Sequence, residues 1–325
     1  MDLSIITVNY NSLSYLRECV SSIYHWTHGT SFEIIVVDNA SPTEDIDRLA
    51  EEFPQVKIVK SQHNLGFAGA NNLGFRYSSG DWILFLNPDT KLIKPALTEI
   101  LEQARLLTDT GIVGCRLLNA DLSVQTSSIM NFPRIMNSML QLEYLRLRWP
   151  KLWGIGPLFS GDSRPIRVEA VSGACMFIKR EIFSRVGMFS EDYFMYSEDI
   201  DLCYRVAHVG LVNYYLGQCS IIHYGGSSSV GDRQTVMKTK AELQFVDKNY
   251  ARPYALAFRA SLALTALMRL AAVFFMRCCG PTLVGRNRLA SARARWTTVL
   301  KTLVGNGPSA TRQKPRNTSC RPTNA

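Results

Sequence analysis

The sequence predicts an α/β fold, a mostly parallel sheet flanked by helices. Three observations carry that prediction. Short β-rich runs at Leu3 to Val8, Phe32 to Asp38, Val56 to Val59 and Trp82 to Leu86 alternate with helix-forming stretches, the pattern of right-handed crossovers between parallel strands. The run Trp82-Ile83-Leu84-Phe85-Leu86, bounded by Gly80 and Pro88, is apolar throughout, as a strand covered on both faces must be. Each run gives way to a short polar residue, namely Asn9, Asp38, Asn64 and Asp89. In a parallel sheet those ends share one edge, and open α/β sheets bind ligands there.

The first strand leads into Asn9-Tyr10-Asn11-Ser12, with Ser12 placed to cap a helix over Leu13 to Tyr24. The second strand turns through Asn39-Ala40-Ser41-Pro42 into a helix near Thr43 to Phe53, and the third precedes the Gly/Asn-rich stretch Asn64 to Asn72. The central strand stops at Asn87-Pro88-Asp89. All three residues favour turns, but a carboxylate held at a strand end is also suited to Mg²⁺ or Mn²⁺ bridging to a diphosphate. A helix over Lys94 to Leu107 and a strand over Ile112 to Leu118 continue the series. Residues 120 to 165 contain Pro133, Pro150, Pro157 and Pro165, which predicts a long excursion with one helix near Ile135 to Arg148.

Strand character returns at Val171 to Ile178, where Ser172-Gly173-Ala174 permits close backbone approach. Ser197 then reads as an N-cap with Glu198 and Asp199 in the first helical turn. Acidic residues there complement the positive end of a helix, and Asp201 stands four residues before Arg205. Three carboxylates within four residues also raise at least one pKa, which suits a general base. Ser220 to Gly226 forms a last strand containing His223, a residue type more often a hydrogen-bonding partner than a ligand. A polar helix over Arg233 to Asn249 closes a globular unit spanning residues 1–248.

Of 325 residues, 46% are apolar and 19% charged, both ordinary for a globular protein. Residues 248 to 325 hold 14 Lys and Arg and no acid, leaving 22 basic against 27 acidic residues before them. From Tyr254 to Met276 the chain is apolar and helix-forming, but Arg259 and Arg269 keep each run below the ~20 residues that cross a bilayer. At roughly 100° per residue, Lys248, Arg252, Arg259 and Arg277 fall on one stripe. Residues 249–304 thus read as a basic amphipathic segment on an anionic membrane surface, with packing on the domain or a homodimer contact as alternatives. Residues 305–325 read as a disordered basic tail. Nucleic acid is not expected, since no binding-fold signature is present and Trp296 is the one aromatic after Phe275. Eight scattered cysteines without a C-x-x-C pair and an N-terminus without a basic leader place the protein in the cytoplasm, peripheral on the inner face of the plasma membrane.

Six segments in order, Ile5 to Ser12, Val36 to Ser41, Asn64 to Asn72, Leu86 to Thr90, Ser197 to Leu202 and Ile222 to Tyr224, resemble family 2 inverting glycosyltransferases of the GT-A fold. Within that family they look like the bacterial rhamnosyltransferase-like members that build O-antigen and other surface polysaccharides. The resemblance implies a nucleoside-diphosphate sugar donor, dTDP-rhamnose or a UDP-sugar, a polyprenyl-linked glycan acceptor and a Mg²⁺ or Mn²⁺ cofactor. It implies base and ribose contacts for Thr7, Asn9, Asp38 and Asn39, with Asn64, Gly66 and Asn71 nearby on the nucleotide side.

Asn87 and Asp89 match the D-x-D metal motif with the first Asp replaced by Asn. The substitution removes a charge, so Asp89 is expected to be the direct ligand and Asn87 to reach the ribose or a metal-bound water. His223 matches a histidine that completes the metal shell. Asp199 matches the catalytic base and Glu198 its neighbour on the acceptor side, with Gly173 and Asp201 also assigned to the acceptor. The Q-x-x-R-W of processive members is reduced to Ala292-Arg293-Ala294-Arg295-Trp296, which implies transfer of a single sugar. A polyprenyl-phosphate sugar synthase and a non-catalytic membrane adaptor on the same scaffold stand as alternatives.

Overall fold

In the computed structural model, residues 1–139, 149–152, 155–159, 164–225, 232–278 and 286–305 are described. Strands β1 (Leu3–Asn9), β2 (Phe32–Asp38), β3 (Lys57–Lys60) and β4 (Trp82–Leu86) run parallel in the order β3-β2-β1-β4. The other strands are β5 (Thr90–Leu92), β6 (Thr110–Leu118), β7 (Ile129–Met130), β8 (Ile166–Val168), β9 (Ala170–Val171), β10 (Cys175–Lys179) and β11 (Val212–His223). All but β7 and β9, which form a separate ribbon, extend the same sheet through β4-β10-β6-β11. Strand β10 runs antiparallel to both β4 and β6, whereas β6 and β11 are parallel to each other. The long β11 carries β8 against Asn213 to Tyr215 and β5 against Ile221 to His223, both antiparallel.

Helices α1 (Leu13–Trp26), α2 (Asp47–Glu52), α3 (Gly66–Arg76) and α4 (Ala96–Leu106) follow β1, β2, β3 and β5, as the alternation requires. After them come α5 (Ile135–Met139), α6 (Arg180–Arg185), α7 (Glu198–His208), α8 (Asp232–Asn249), α9 (Arg252–Cys278) and α10 (Arg286–Gly305). Side chains alternate between two cores, one on each face of the sheet. Leu3, Ile5, Trp82, Leu84, Leu86 and Phe177 pack with α1 and α4, while Ile6, Ile83, Phe85 and Met176 pack with α3, α6 and α7. In the second core Phe85 stands 4.8 Å from Phe183 and 4.7 Å from Phe189, ring centre to ring centre, at tilted and edge-on angles.

Several expectations are revised. The Gly/Asn-rich stretch forms helix α3 instead of a connecting segment, because Ala68, Ala70 and Phe75 give it a core-facing stripe. The helix near Thr43 to Phe53 shortens to α2, and the short strand β5 was not foreseen. Ser12 does not cap α1. Its Oγ donates to Asn9 Oδ1 at 3.0 Å, and the Glu44 carboxylate accepts the Leu13 N–H at 3.0 Å in its place. Ser197 precedes α7 with left-handed backbone (φ 66°) and makes no side-chain cap. Of the helix near Ile135 to Arg148, only α5 falls within the described residues, and the predicted tail lies outside them from residue 306 onward.

The C-terminal segment is two packed helices. Helix α9, about 40 Å long at 1.5 Å per residue, is long and apolar enough by length and composition to cross a membrane, contrary to the count of interrupted runs. Its Ala255, Phe258, Leu262, Ala266 and Val273 are nonetheless buried, whereas Leu256, Leu264, Leu267, Met268, Phe274 and Phe275 are exposed. The basic stripe is partly engaged by protein: Arg259 pairs with Asp247, and Lys248 Nζ lies 3.6 Å from Asp192 and 3.4 Å from Asp201.

Asp201, expected at the acceptor, is instead a hub of the fold. It is wholly buried, and its oxygens accept from Arg205 Nε at 2.8 Å, Asn249 Nδ2 at 3.1 Å and Tyr193 Oη at 3.3 Å. These contacts tie α7 to α8 and enclose the carboxylate. Removing one member of a buried charged network strands its partners, at a cost of about 3–5 kcal/mol. Asp201→Ala should therefore lower unfolding stability by that amount in urea titration, and a loss below about 1 kcal/mol would contradict the hub.

Candidate active site

The polar ends of β1 and β2 are joined before any ligand is considered. Their register sets Asn9 opposite Asp38, and Asn9 Nδ2 donates to Asp38 Oδ1 at 3.1 Å and to Ser41 Oγ at 3.0 Å. The Glu44 carboxylate that holds the start of α1 also accepts from Asn9 Nδ2 at 3.3 Å. Asn39, buried beside them, donates to Asn64 Oδ1 at 3.0 Å and accepts from the Leu65 N–H at 2.8 Å. Asn9, Asp38, Asn39 and Asn64 thus line one connected rim. Thr7 and Asn71 do not join it. Thr7 is fully buried with an unpartnered Oγ1, and Asn71, only 2% exposed, donates to the Phe67 carbonyl of its own helix at 2.9 Å. Their burial matches that of Asn9 and Asn39 on the rim itself, and Thr7 keeps an unused polar atom, Oγ1, at that edge.

Gly66 has a second role that its motif did not announce. Its φ is +70°, and a Cβ there would stand 2.2 Å from the Phe194 carbonyl oxygen, which accepts the Phe67 N–H at 2.9 Å. Only glycine lets the start of α3 close on the loop that precedes α7. Asn11, Ala40, Tyr196 and Ser197 adopt positive φ in the neighbouring loops. Non-glycine residues held so are strained and cluster at functional sites.

Beyond β4, the β5–β11 ladder sets Thr90 opposite His223, which brings His223 Nε2 to 3.4 Å from Asp89 Oδ1 and 3.3 Å from Asn87 Nδ2. Among the described residues no three His, Cys, Asp or Glu side chains converge on one point. Two protein ligands nevertheless fit a cation that takes its remaining oxygens from phosphate and water. A carboxylate oxygen and an imidazole nitrogen, both close to buried, are a suitable donor pair for Mg²⁺ or Mn²⁺. Asn87 is turned to His223, so a ribose contact is not its resting geometry.

The acidic start of α7 lies across the β4–β10 junction. The Asn87 N–H donates to the Ala174 carbonyl at 3.0 Å, and the adjoining Gly173 N–H donates to Asp199 Oδ2 at 2.9 Å. A Cβ on Gly173 would press on Asp199 at 3.2–3.3 Å, so Gly173 orients Asp199, a more direct part than the acceptor contact assigned to it. Asp199 Oδ1 also accepts the Ile200 N–H at 2.8 Å. Burial raises the Asp199 pKa despite those bonds. Glu198, expected on the acceptor side, is turned inward: it is 5% exposed, its Oε2 has no partner, and burial beside Asp199 pushes its pKa well above the usual range.

The profile of Glycosyl transferase family 2 matches residues 4–187. This chain belongs to that family. The transferase is 30% identical over 226 residues to a low-salt glycan biosynthesis hexosyltransferase of Haloferax volcanii, covering 68% of this chain and 66% of that protein, just under two thirds of its length. It is 26% identical over 245 residues to the N-acetylglucosaminyl-diphospho-decaprenol L-rhamnosyltransferase of Mycobacterium tuberculosis, covering 71% and 78%. A mannosyltransferase of Pyrobaculum calidifontis, solved with GDP-Man and Mn²⁺, superposes with a TM-score of 0.62 at 17% identity over 94% of this chain and 86% of that one. The transferase therefore has the GT-A architecture and is an enzyme. Asp199, Glu198 and His223 lie beyond the matched profile, and their placement rests on the geometry above.

Two outcomes follow for this site. Gly66→Ala should destabilise the transferase by more than about 2 kcal/mol, from positive φ and the collision with Phe194, measured by urea titration. Glu198 is most favourable to the fold when neutral, so its contribution is complete below the ordinary glutamate range and is lost as pH rises through its elevated folded pKa. The Tm of Glu198→Gln minus that of wild type should be near zero in acid and grow as pH rises. A flat difference would place an ionised carboxylate there.

Proposed function

We propose that this transferase moves one sugar, with rhamnose the leading candidate, from a nucleoside-diphosphate donor to a hydroxyl of a polyprenyl-linked glycan, with inversion at the anomeric carbon. The donor is dTDP-rhamnose or a UDP-sugar, and the setting is O-antigen or other surface polysaccharide assembly at the inner face of the plasma membrane. The observation that carries this reading is the disposition of two acidic groups about one backbone junction. The Asp89–His223 pair lies at the end of β4, and Asp199 hangs from Gly173 next to the Ala174 carbonyl that holds Asn87. The names of the Mycobacterium and Haloferax relatives support the sugar and acceptor classes.

The chemistry assigned to the chain follows from those positions. Asn9, Asp38, Asn39 and Asn64 hold the nucleoside. Asp89 and His223 would hold the divalent cation, which when bound would offset charge on the departing diphosphate. Asp199 takes the proton from the acceptor hydroxyl, and Gly173 and Ile200 fix the direction of its oxygens. The acceptor oxygen forms its bond to the anomeric carbon as the bond to the diphosphate breaks, and one displacement inverts the centre. Glu198 is turned inward, and burial pushes its pKa well above the usual glutamate range, which suits a double-displacement nucleophile poorly.

Asp199→Asn should reduce transfer to a hydroxyl acceptor by about 10²- to 10⁴-fold with donor affinity by calorimetry unchanged. Turnover near wild type would remove Asp199 as base and favour a synthase that attacks through a phosphate. Because Asp199 acts when ionised and its pKa is raised, kcat/KM should fall in acid with a midpoint above the ordinary aspartate range.

The exposed apolar face of α9 supports docking in the plane of an anionic bilayer. Replacing Leu267 and Phe274 by Glu should release the protein from phosphatidylglycerol vesicles in flotation assays. Wild-type protein that never floats with them would end that part of the proposal.

A further inference from the structure

Gln125 lies between β6 and a short turn at Thr126–Ser128, outside every motif in the sequence. Its backbone is fixed on both sides, its N–H donating to the Leu117 carbonyl at 2.9 Å and its carbonyl accepting from Ser128 Oγ at 2.7 Å. Its side chain lies along His223. Gln125 Nε2 donates to the His223 carbonyl at 2.5 Å, and Gln125 Oε1 stands 2.9 Å from His223 Nδ1. A backbone carbonyl only accepts, so the amide nitrogen must face it and the amide oxygen must face the ring. That oxygen also only accepts, so Nδ1 must carry the ring proton. A neutral imidazole has one N–H, and Nε2 is left with a lone pair beside Asp89 Oδ1, 3.4 Å away, and Asn87 Nδ2, a possible donor 3.3 Å away.

We propose that Gln125 is a positioning residue for the cation site: its two hydrogen bonds lock the ring angle and tautomer of His223 so that Nε2 and the Asp89 carboxylate face one another as a ready donor pair. The inference rests on the reading of Asp89 and His223 as the cation pair. Outer partners of metal-bound histidines act in this way, and their loss weakens metal binding by about 10- to 100-fold. Here the partner arrives from the turn that follows β6, which lies outside every motif.

The test is Mn²⁺ affinity of the full chain in the presence of UDP, read by electron paramagnetic resonance, with Tm recorded for each variant. Gln125→Ala should weaken Mn²⁺ binding by about 10- to 100-fold. Gln125→Glu keeps an acceptor for Nδ1 but loses the donor to the His223 carbonyl, so it should retain affinity within about threefold of wild type even as Tm falls. A merely structural Gln125 predicts that the two variants are equally affected. The proposal is overturned if Gln125→Ala binds Mn²⁺ as wild type does while His223→Ala does not, or if Gln125→Glu is as weak as Gln125→Ala. If Asp89→Ala and His223→Ala both bind Mn²⁺ normally, the cation-pair reading itself fails and the inference falls with it.

Discussion

Strand β10 runs against its neighbours, and the geometry of the site depends on that reversal. In an antiparallel pair one strand begins where the other ends, and Cys175 lies opposite Leu86. The Ser172-Gly173-Ala174 turn is therefore delivered to the carboxyl end of β4, where the Ala174 carbonyl can hold Asn87 and the Gly173 N–H can hold Asp199. A parallel β10 of five residues would leave that turn about 16 Å away, at the opposite edge. The β5–β11 ladder works in the same way, since an antiparallel return directly after Asp89 carries His223 to it. Polarity changes in a mostly parallel sheet are thus what assemble residues more than 100 positions apart.

The three acids at the start of α7 show how environment divides identical chemistry. Asp201 is saturated by cationic and amide donors, Asp199 accepts two backbone N–H groups, and Glu198 has an oxygen with no donor at all. Hydrogen bonds to a carboxylate favour its charged form, and burial without them disfavours it. The three therefore stand in turn as an anchor, a carboxylate that backbone donors stabilise against burial, and a carboxyl group that burial pushes toward its neutral form. Their spacing puts all three in one helical turn, but only the surrounding elements decide which is which.

That division also marks how far the sequence could be read. Strand runs, crossover helices and the carboxylates at strand ends were legible, because apolar periodicity and turn chemistry are local properties. The antiparallel setting of β10 was not, since a short buried run carries no sign of direction. Glu44 occupies the third position after Ser41, a spacing that announces a local capping box, yet it reaches across to α1. Asp201 was placed at the acceptor along with its motif neighbours, and its burial depends on Tyr193, Arg205 and Asn249, all three outside the motif. A motif fixes proximity to a site but not the side of the wall a side chain faces.

Helix α9 poses the opposite problem, in which composition says more than position. By length and hydropathy it passes for a membrane span, but a spanning helix in lipid has no need of one face matched to soluble neighbours. Here Tyr254 Oη accepts the Ile135 N–H at 3.2 Å, and Phe258 is fully buried within the core shared with α7 and α8. Leu256, Leu267 and Phe274 recur at intervals of 11 and 7 residues, close to whole turns, so they stand along one line of the helix surface. The helix is thus bound to the domain along one side and apolar along another. Withdrawing it to cross a bilayer would strip the domain of that core, whereas lying flat on one would cover the exposed line without unpacking it, with Arg252 and Arg277 near the helix's two ends.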